Sequence, residues 1–386
     1  MIFTHEHDEI KKTTKRFVED VINPNIEEWE RDGIFPAHEV MKQAGDLGLL
    51  GITKPESVGG MNLDYSYEVA FAEGLGHARH GGVPMAIGVQ TDMATPALAR
   101  FGSTELQEEF LAPAVAGDQV ACVAVSEPGA GSDVANIQTH ARKDGDDYII
   151  NGSKMWITNG TQADWACMLV NTNPDEKRHT NKSLIVVPLD SKGVNRETKL
   201  DKLGMRASDT AMIFMDEVRV PQRNLIGQEG AGFTYQMMQF QEERLYLTAS
   251  VIEGLQDCIN ETIDYTRQRK IFNSTVLDQQ YVHYRLAELK TEVEAVRSMI
   301  YRATADYVNG KDVVELASMA KLKIGRLCRE VTDTCIQFWG GQGFMQENLC
   351  AQQYRDMRLV SIGGGADEVM LSIICKYMGT LPKPQK

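Results

Sequence analysis

The feature that most constrains the fold is a block of short β-rich runs that separates two stretches with helical periodicity. Turn dipeptides such as Asn-Gly and Asp-Gly lie between these runs. Strands that follow one another without intervening helices favour an antiparallel sheet or barrel over a parallel nucleotide-binding sheet. The predicted strands are 121–125, 148–151, 166–170, 183–188 and 211–220.

The flanking stretches predict helical domains. Apolar residues recur at helical spacing from residue 3 to about 116, with an interruption at Pro24. Three long helices are predicted after Gly232, and long helices joined by short loops are typical of a bundle. These helices are 235–269, 281–309 and 313–339. The prediction is an α+β multidomain chain with a helical domain at 1–119, a β domain at 120–230 and a helical bundle at 231–386.

Composition argues against several function classes. The 386 residues include 40 basic and 54 acidic side chains, and a net charge of −14 argues against nucleic acid as a partner. No apolar run reaches the ~18 residues that span a bilayer, so we expect no membrane insertion. Seven scattered cysteines without a CxxC pair favour a reducing compartment. The first nine residues resemble neither a secretory signal nor a typical transit peptide, so we expect a cytoplasmic protein, or a mitochondrial-matrix protein whose leader was removed.

Several familiar motifs do not account for the chain. His5, His7 and Glu9 lie at the terminus without HExxH spacing, which favours a solvated polar end over a metal site. The pair His77 and His80 is likewise more typical of a surface than of a metal site, so no metal ligand is predicted. The sequence has no GxGxxG after a strand, no GxxxxGK[ST] and no GxSxG, the commonest nucleotide and hydrolase signatures.

The first segment with chemical character is 124–133 (AVSEPGAGSD), which leaves a strand and enters a tight turn. Its exposed amides, together with Ser126 and Ser132, could bind a polar, anionic cofactor, and the glycines allow a ligand to approach the backbone. An ordinary loop between two strands remains the alternative interpretation.

The second segment is 154–160 (KMWITNG), a strand followed by a turn. Trp156 and Thr158 are two residues apart and would share one face of that strand. An indole and a hydroxyl together suit a planar ring rich in heteroatoms, whereas a core tryptophan beside a turn is the alternative. Two glycine-rich segments in the helical region, 337–344 and 363–368, would each bring backbone close to a ligand or simply end a helix or form a turn.

Taken together and in this order, these segments resemble the acyl-CoA dehydrogenase family, FAD enzymes of fatty and branched-chain acyl metabolism. The resemblance covers essentially the whole chain. The segments similar to family signatures are 126–133, 154–160, 202–208, 214–221, 269–272 and 337–344. The resemblance implies an N-terminal helical domain, a middle β-barrel and a C-terminal four-helix bundle, assembled as a homotetramer.

The resemblance implies that FAD lies between the barrel and the bundle and is completed by a neighbouring subunit. Ser126 would lie near the pyrimidine edge of the flavin, Trp156 would pack on the isoalloxazine, and Thr158 would approach the reactive nitrogen. The implied cofactor contacts are Val123, Val125, Ser126, Gly131, Ser132, Trp156, Ile157, Thr158, Arg269, Phe272, Gln280, Gln337, Gly340, Gly341 and Glu368. The implied substrate contacts are Ser132, Arg244 and Gly364.

The implied reaction is the α,β-dehydrogenation of an acyl-CoA thioester to the trans-2-enoyl-CoA, in which a carboxylate removes the α-proton. Many family members carry this base in the final loop, where the present chain has Gly364. A minority, the long-chain and isovaleryl types, carry it on a bundle helix immediately before an arginine. Glu243 and Arg244 match that pair, so we expect Glu243 to be the base and the substrate to be a long or branched acyl chain, such as the citronellyl group.

Helical phase supports Glu243 independently of the resemblance. Leu247, Ser250 and Gly254 would lie in its row, which is small and apolar, whereas Glu242 would lie on a wetter face. The alternative is that both glutamates are surface charges on an exposed helix.

Three function classes remain open at this point. The leading one is a dehydrogenase that passes electrons to electron-transferring flavoprotein. The second is a flavin monooxygenase or oxidase on the same fold, and the third is a non-catalytic acyl-CoA- or flavin-binding homologue.

Overall fold

The computed structural model describes residues 3–382, in which helices come first, a sheet second and a helical bundle last. The amino-terminal helices are α1 (His5–Phe17), α2 (Ile26–Asp32), α3 (Ala37–Asp46), α4 (Tyr65–Leu75), α5 (Gly82–Gly88), α6 (Pro96–Phe101), α7 (Thr104–Leu106) and α8 (Ala112–Ala116). Three π-helical segments, Val18–Ile22, Val89–Ala94 and Gln107–Leu111, continue or connect these helices. The continuation of α1 ends at Ile22, just before Pro24, because proline disfavours helix at the preceding residue.

The expected solvated terminus is wrong for His7. The imidazole is buried, its Nε2 lies 2.7 Å from the Ser66 hydroxyl, and its ring stacks on Tyr67 at 3.7 Å between centroids. The chain from residue 3 to 382 contains no group of three His, Cys, Asp or Glu side chains that could hold a metal ion. Nor does any helix within those residues have the length and apolar character needed to cross a membrane.

The middle of the chain forms an eight-stranded sheet. Its strands are β1 (Ala121–Ala124), β2 (His140–Asp144), β3 (Asp147–Thr158), β4 (Trp165–Asn171), β5 (Lys182–Pro188), β6 (Val194–Lys199), β7 (Thr210–Pro221) and β8 (Leu225–Ile226). The five predicted strands are confirmed as β1, β3, β4, β5 and β7. β2 and β6 were missed because their sequences, HARKD and VNRETK, are mostly polar and exposed, and β8 because it has only two residues.

The sheet is mostly antiparallel, with strand order β6-β7-β3-β2-β4-β5-β8. β1 departs from this pattern because it pairs with β4 in parallel, and β2 meets β4 through one parallel bridge. The expectation of a barrel is not met in these pairings, since within residues 3–382 no pair joins β6 to β8. The strands instead form an open series, whose outer strand β6 is exposed.

The carboxy-terminal part is helical. Its elements are α9 (Gly232–Ala249), α10 (Ile252–Gln268), the short hairpin β9 (Lys270–Ile271) and β10 (Ser274–Thr275), α11 (Gln280–Val308), α12 (Val314–Trp339), α13 (Leu349–Met357) and α14 (Asp367–Tyr377). α9 to α12 pack together as the expected four-helix bundle, and the two predicted helices at 281–309 and 313–339 are confirmed.

The single helix predicted at 235–269 is wrong, because the chain breaks between α9 and α10 at Ser250 and Val251. The carbonyl of Ser250 faces the end of α4, where an added Cβ on Gly76 would lie 2.8 Å from it. The Ser250 hydroxyl also donates to the carbonyl of Leu247, a local bond that competes with helix continuation. Packing between the two helical domains therefore decides a boundary that the periodicity does not show.

An ion network joins the two helical domains. Lys11 of α1 donates to Glu73 of α4 at 3.1 Å and to Glu253 of α10 at 2.6 Å. Arg297 of α11 donates to the same two carboxylates at 2.9 and 2.8 Å. Burial raises the pKa of Glu253, but the bonds and charges of Lys11 and Arg297 outweigh burial and lower it to about 2.

We predict that this network makes stability depend on acid. Because the folded pKa of Glu253 lies below the ordinary ~4.3, its carboxylate stabilises the fold above about pH 4.3, and this contribution is lost as the pH falls towards 2. Glu253→Gln should lower the free energy of unfolding by about 2 kcal/mol at neutral pH and flatten the acid dependence of thermal melting.

The matched control is Glu294→Gln, since Glu294 is an exposed partner of the same Arg297 at 3.4 Å. That pair should contribute at most about 1 kcal/mol. Identical melting curves for Glu253→Gln and Glu294→Gln at neutral pH would contradict the prediction.

Candidate active site

Two of the predicted segments meet where β1 ends. Glu127 and Ala130 exchange backbone hydrogen bonds at 3.1 Å and close the tight turn of the loop 126–133. The Met155 amide donates to the Ser126 carbonyl at 2.9 Å. The structure therefore places the part of β3 that carries Trp156 directly beside this loop, as the sequence motifs require if both contact one ligand.

A buried ion pair between Lys154 and Glu127 stabilises the loop 126–133. Lys154 is fully buried, and its Nζ lies 2.9 Å from both Oε1 of Glu127 and the carbonyl of Val125. The amides of Gln138 and Thr139 donate to the same carboxylate at 2.6 and 2.9 Å. Burial lowers the pKa of Lys154 to about 8, and the Glu127 charge opposes that shift. Because Glu127 belongs to the turn, these bonds tie the turn to β3 through Lys154 and to the residues just before β2.

Trp156 projects from a bulge of β3. The register against β7 shifts between Lys154 and Ile157, and Trp156 has a φ of +61°, a conformation that is strained for a tryptophan. The side chain is 54% exposed while Ile157 is 2% exposed and Thr158 is half-buried. A strained, exposed indole beside a loop is a feature typical of a functional site.

The loop itself presents polar groups to the space beside Trp156. Gly131 and Ser132 are exposed, Ser126 is half-buried, and an added Cβ on Gly131 would meet no atom within 4 Å. In the part of the chain that the structure describes, the amides of Gly131 and Ser132 donate to no backbone carbonyl. Behind the loop, Val123 is half-buried and Val125 is buried. An aromatic face with free amides and hydroxyls fits a flat ring with polar edges, which is the shape of a flavin.

Glu243 lies on α9 against the glycine-rich loop before α14. It is 9% exposed, and its carboxylate bonds to no residue between 3 and 382. An added Cβ on Gly364 would lie 3.2 Å from its Oε1 and would overlap Leu247. Burial raises the pKa of Glu243 to about 7, with Arg244 and Lys321 lowering it and Asp92 raising it.

Glu242 lies in a different environment, and its expected wetter face is wrong. It is 3% exposed, forms an ion pair with Arg100 and accepts a hydrogen bond from the Tyr307 hydroxyl at 2.6 Å. The Tyr65 hydroxyl donates to its carbonyl at 2.8 Å. The expected row of Glu243 also stops short, because α9 ends before Gly254. Of the two carboxylates, only that of Glu243 has no hydrogen-bond partner among the described residues.

Arg244 is a buried cation beside that carboxylate. It is 7% exposed, its Nε has no hydrogen-bond partner in the described part of the chain, and burial lowers its pKa. Buried charges in proteins are normally paired, so an unpaired guanidinium beside a carboxylate is available to a ligand. Its role at the substrate remains a prediction.

The remaining cofactor residues lie together at one end of the bundle. Arg269 and Phe272 belong to the β9–β10 hairpin region, Gln280 begins α11, and Gln337 lies in the last turn of α12 before Gly340. All of them are exposed, as are Gly341 and Glu368, and the Phe272 side chain is 99% exposed. These exposed side chains belong to the carboxy-terminal helices, whereas the loop 126–133 and Trp156 belong to the sheet domain.

Sequence reasoning missed Lys321. It lies on α12, is fully buried, and donates a hydrogen bond to the carbonyl of Gly365. Its helical neighbours Ala317, Ile324 and Cys328 are small or apolar and buried. A lysine in such a row is a signal that the sequence contained, because lysine is almost never fully buried without a partner.

Comparison with protein families covers most of the chain. The acyl-CoA dehydrogenase N-terminal domain model matches residues 4–118, the middle domain model matches 122–218, and the C-terminal domain model matches 230–379.

Relatives and solved structures agree with these matches. The mitochondrial long-chain specific acyl-CoA dehydrogenase of Sus scrofa is 35% identical over 97% of this chain and 87% of its own length. The human mitochondrial short-chain specific acyl-CoA dehydrogenase is 31% identical over 96% of this chain and 90% of its own length. The crystal structure of an acyl-CoA dehydrogenase from Geobacillus kaustophilus has a TM-score of 0.94 and 36% identity over 98% of this chain and 99% of its own. An FAD complex of PigA has the same TM-score at 27% identity, over 98% and 99%.

We predict that the Lys154–Glu127 pair supports cofactor binding. Glu127→Gln leaves Lys154 buried without a counter-ion, which costs about 3 kcal/mol and loosens the loop. The purified protein should therefore contain less flavin, measured by the ratio of visible to ultraviolet absorbance.

The control is Glu229→Gln, which removes the carboxylate of a largely exposed ion pair with Lys143 on β2. Flavin content should be unchanged there. Equal flavin content in both variants and the parent protein would show that the buried pair does not support the cofactor loop.

Proposed function

This chain belongs to the acyl-CoA dehydrogenase family, and from that membership we propose that it dehydrogenates an acyl-CoA thioester to the trans-2-enoyl-CoA, with FAD as cofactor and Glu243 as the base. The observation that carries the proposal is the Glu243 carboxylate, which is buried, free of hydrogen bonds to the described residues, and directed at the backbone of Gly364.

The environment of Glu243 suits proton abstraction. Desolvation disfavours the charged carboxylate and raises its pKa to about 7, so at neutral pH it is both partly ionised and more basic than an exposed glutamate. A general base works best when its pKa lies near the operating pH. Glu242 lacks this property because Arg100 and Tyr307 already hold its carboxylate.

The glycine loop suits the thioester oxygen. Removal of the α-proton places negative charge on that oxygen, which needs hydrogen-bond donors set in place beforehand. The Gly364 amide donates to no backbone carbonyl between residues 3 and 382, and Gly364 lies next to Glu243. One loop residue would then bind the oxygen while the carboxylate takes the proton from the adjacent carbon.

The cofactor surface consists of the loop 126–133 and the end of β3. When bound, FAD accepts the β-hydrogen as hydride. Trp156 would pack on the ring, Thr158 would approach the reactive nitrogen, and Ser126 would bond its polar edge. The exposed indole and the unbonded amides of the loop support this arrangement.

The second group of cofactor residues is proposed to act from another subunit. Arg269, Phe272 and Gln337 are exposed. In the proposed homotetramer these residues of one subunit would bind the FAD held by the Trp156 surface of another. An almost fully exposed Phe272 supports this assembly, because large apolar side chains exposed in this way mark interaction sites.

Substrate range, electron acceptor and compartment extend the same proposal. The position of Glu243 supports a long or branched acyl chain, although the curated relatives include both long-chain and short-chain enzymes. A panel of straight, branched and terpenoid acyl-CoAs, compared by initial rate, tests this preference.

Electron-transferring flavoprotein is the proposed acceptor. All seven cysteines are free, which supports a reducing compartment such as the cytoplasm or the mitochondrial matrix.

Glu243→Gln tests the base directly. The amide nearly preserves the shape of the side chain but cannot accept the α-proton, so flavin should stay bound. Anaerobic bleaching of the flavin by acyl-CoA should slow by about 10²–10⁴-fold. The matched variant Glu242→Gln changes the adjacent residue, whose carboxylate serves Arg100, and should bleach at nearly the parent rate. Normal bleaching by Glu243→Gln would reject the assignment.

The pH dependence provides a second prediction. Only the ionised carboxylate accepts a proton, so the second-order rate constant for flavin reduction should rise with pH and level off above about 7. A profile without a rising limb in this region would contradict the base assignment.

Mixing the reduced enzyme with oxygen then distinguishes a dehydrogenase, which reoxidises slowly, from an oxidase or monooxygenase.

A further inference from the structure

We infer that Lys321 is a positioning residue of the active site, which holds the Gly363–Gly365 loop at the Glu243 carboxylate and supplies the positive charge that this pair of elements requires. The inference rests on the function proposed above. It assigns to a residue of the bundle core a part in the reaction that its burial alone would not indicate.

Lys321 provides the bond that ties the loop to the bundle. Its Nζ donates to the carbonyl of Gly365. Gly364 and Gly365 have φ values of +63° and +96°, so two consecutive residues adopt left-handed backbone. In the described part of the chain no other hydrogen bond reaches the amide or carbonyl of either glycine. Backbone bonds hold the loop on both sides, from the Gly363 amide to the Leu359 carbonyl at 2.8 Å and from the Met370 amide to the Ala366 carbonyl at 3.0 Å, and Lys321 adds a direct anchor at Gly365 between them.

The charged groups around Lys321 come from two other helices. Glu243 and Arg244 face it from α9 and Asp367 faces it from α14, whereas the Cys328 thiol on its own helix is neutral because burial raises its pKa. Burial lowers the pKa of Lys321 to about 8, while Asp367 and Glu243 oppose that shift and Arg244 adds to it. Lys321 therefore remains mostly protonated at neutral pH.

Asp367 does not neutralise Lys321 by direct contact. One of its oxygens bonds Arg329 of α12 at 3.1 Å, and the other has no partner in the described residues. The positive charge of Lys321 therefore acts on both Asp367 and Glu243. It lowers the pKa of Glu243, and its Nζ contacts the loop residue next to Gly364, whose amide is the proposed donor to the thioester oxygen.

Removal of this lysine should change the kinetics in a characteristic way. Without the cation the pKa of Glu243 rises, so the rising limb of the pH profile should move up by about one pH unit. Without the bond to Gly365 the two left-handed glycines lose a direct anchor, so the limiting rate of flavin reduction should fall about tenfold or more. The substrate concentration at half-saturation should change less.

The experiment compares variants of the FAD-loaded enzyme by anaerobic stopped-flow reduction with an acyl-CoA across pH. Lys321→Met should show both effects. Lys321→Arg keeps a cation and several hydrogen-bond donors, so its rate of flavin reduction should rise over the same pH range as that of the parent enzyme. Lys323→Met is the matched control on the same helix, since Lys323 is partly exposed and pairs with Glu292 at 2.6 Å.

The inference would be overturned if Lys321→Met had the same pH profile and the same limiting rate of flavin reduction as the parent enzyme. If that variant does not retain flavin, Lys321→Gln replaces it, because glutamine is neutral but keeps a hydrogen-bond donor. Its pH profile should still be shifted upward, and a profile like that of the parent enzyme would equally overturn the inference. Glu243→Gln is measured in parallel. Normal reduction by Glu243→Gln rejects the proposed function, whereas slow reduction by Glu243→Gln with a parent-like Lys321→Met rejects only the role of Lys321.

Discussion

Space at Gly364 is the constraint on which the rest of the active site depends. Its left-handed backbone suits glycine, and an added Cβ would overlap Leu247 and approach the Glu243 carboxylate to 3.2 Å. A side chain at this position would therefore compete with Leu247 and Glu243 for the same space. In the proposed mechanism the loop supplies only backbone, and the carboxylate comes from Glu243 on α9.

The adjacent residues Glu242 and Glu243 are both buried, but the fold pairs the first carboxylate and leaves the second unpaired. Glu242 is satisfied by Arg100 and Tyr307 and so stabilises the packing of α9. Glu243 is left without hydrogen bonds to the described residues, which costs stability but keeps the carboxylate basic. Nearby cations limit that cost without forming a direct pair. A full ion pair would lower the pKa of Glu243 and with it the basicity that the proposed proton abstraction needs.

Motif recognition was most successful where local chemistry is strong. The turn after β1, the strand that carries Trp156, and the long helices α11 and α12 could all be predicted from glycine, proline and apolar periodicity. The positive φ of Trp156 could not, because it results from a bulge forced by pairing with β7. The same holds for His7, whose burial depends on Ser66 and Tyr67 of a distant helix.

By itself the sequence determined the family, the order of helical and β domains, and the absence of a side chain at position 364, since these are written in residue identities and their spacing. Only the tertiary structure decided that Glu242 is engaged, that Glu243 is free and buried, and that Lys321 reaches Gly365. The physical reason is that desolvation and pairing depend on which distant residues surround a charge, and linear spacing does not specify those neighbours.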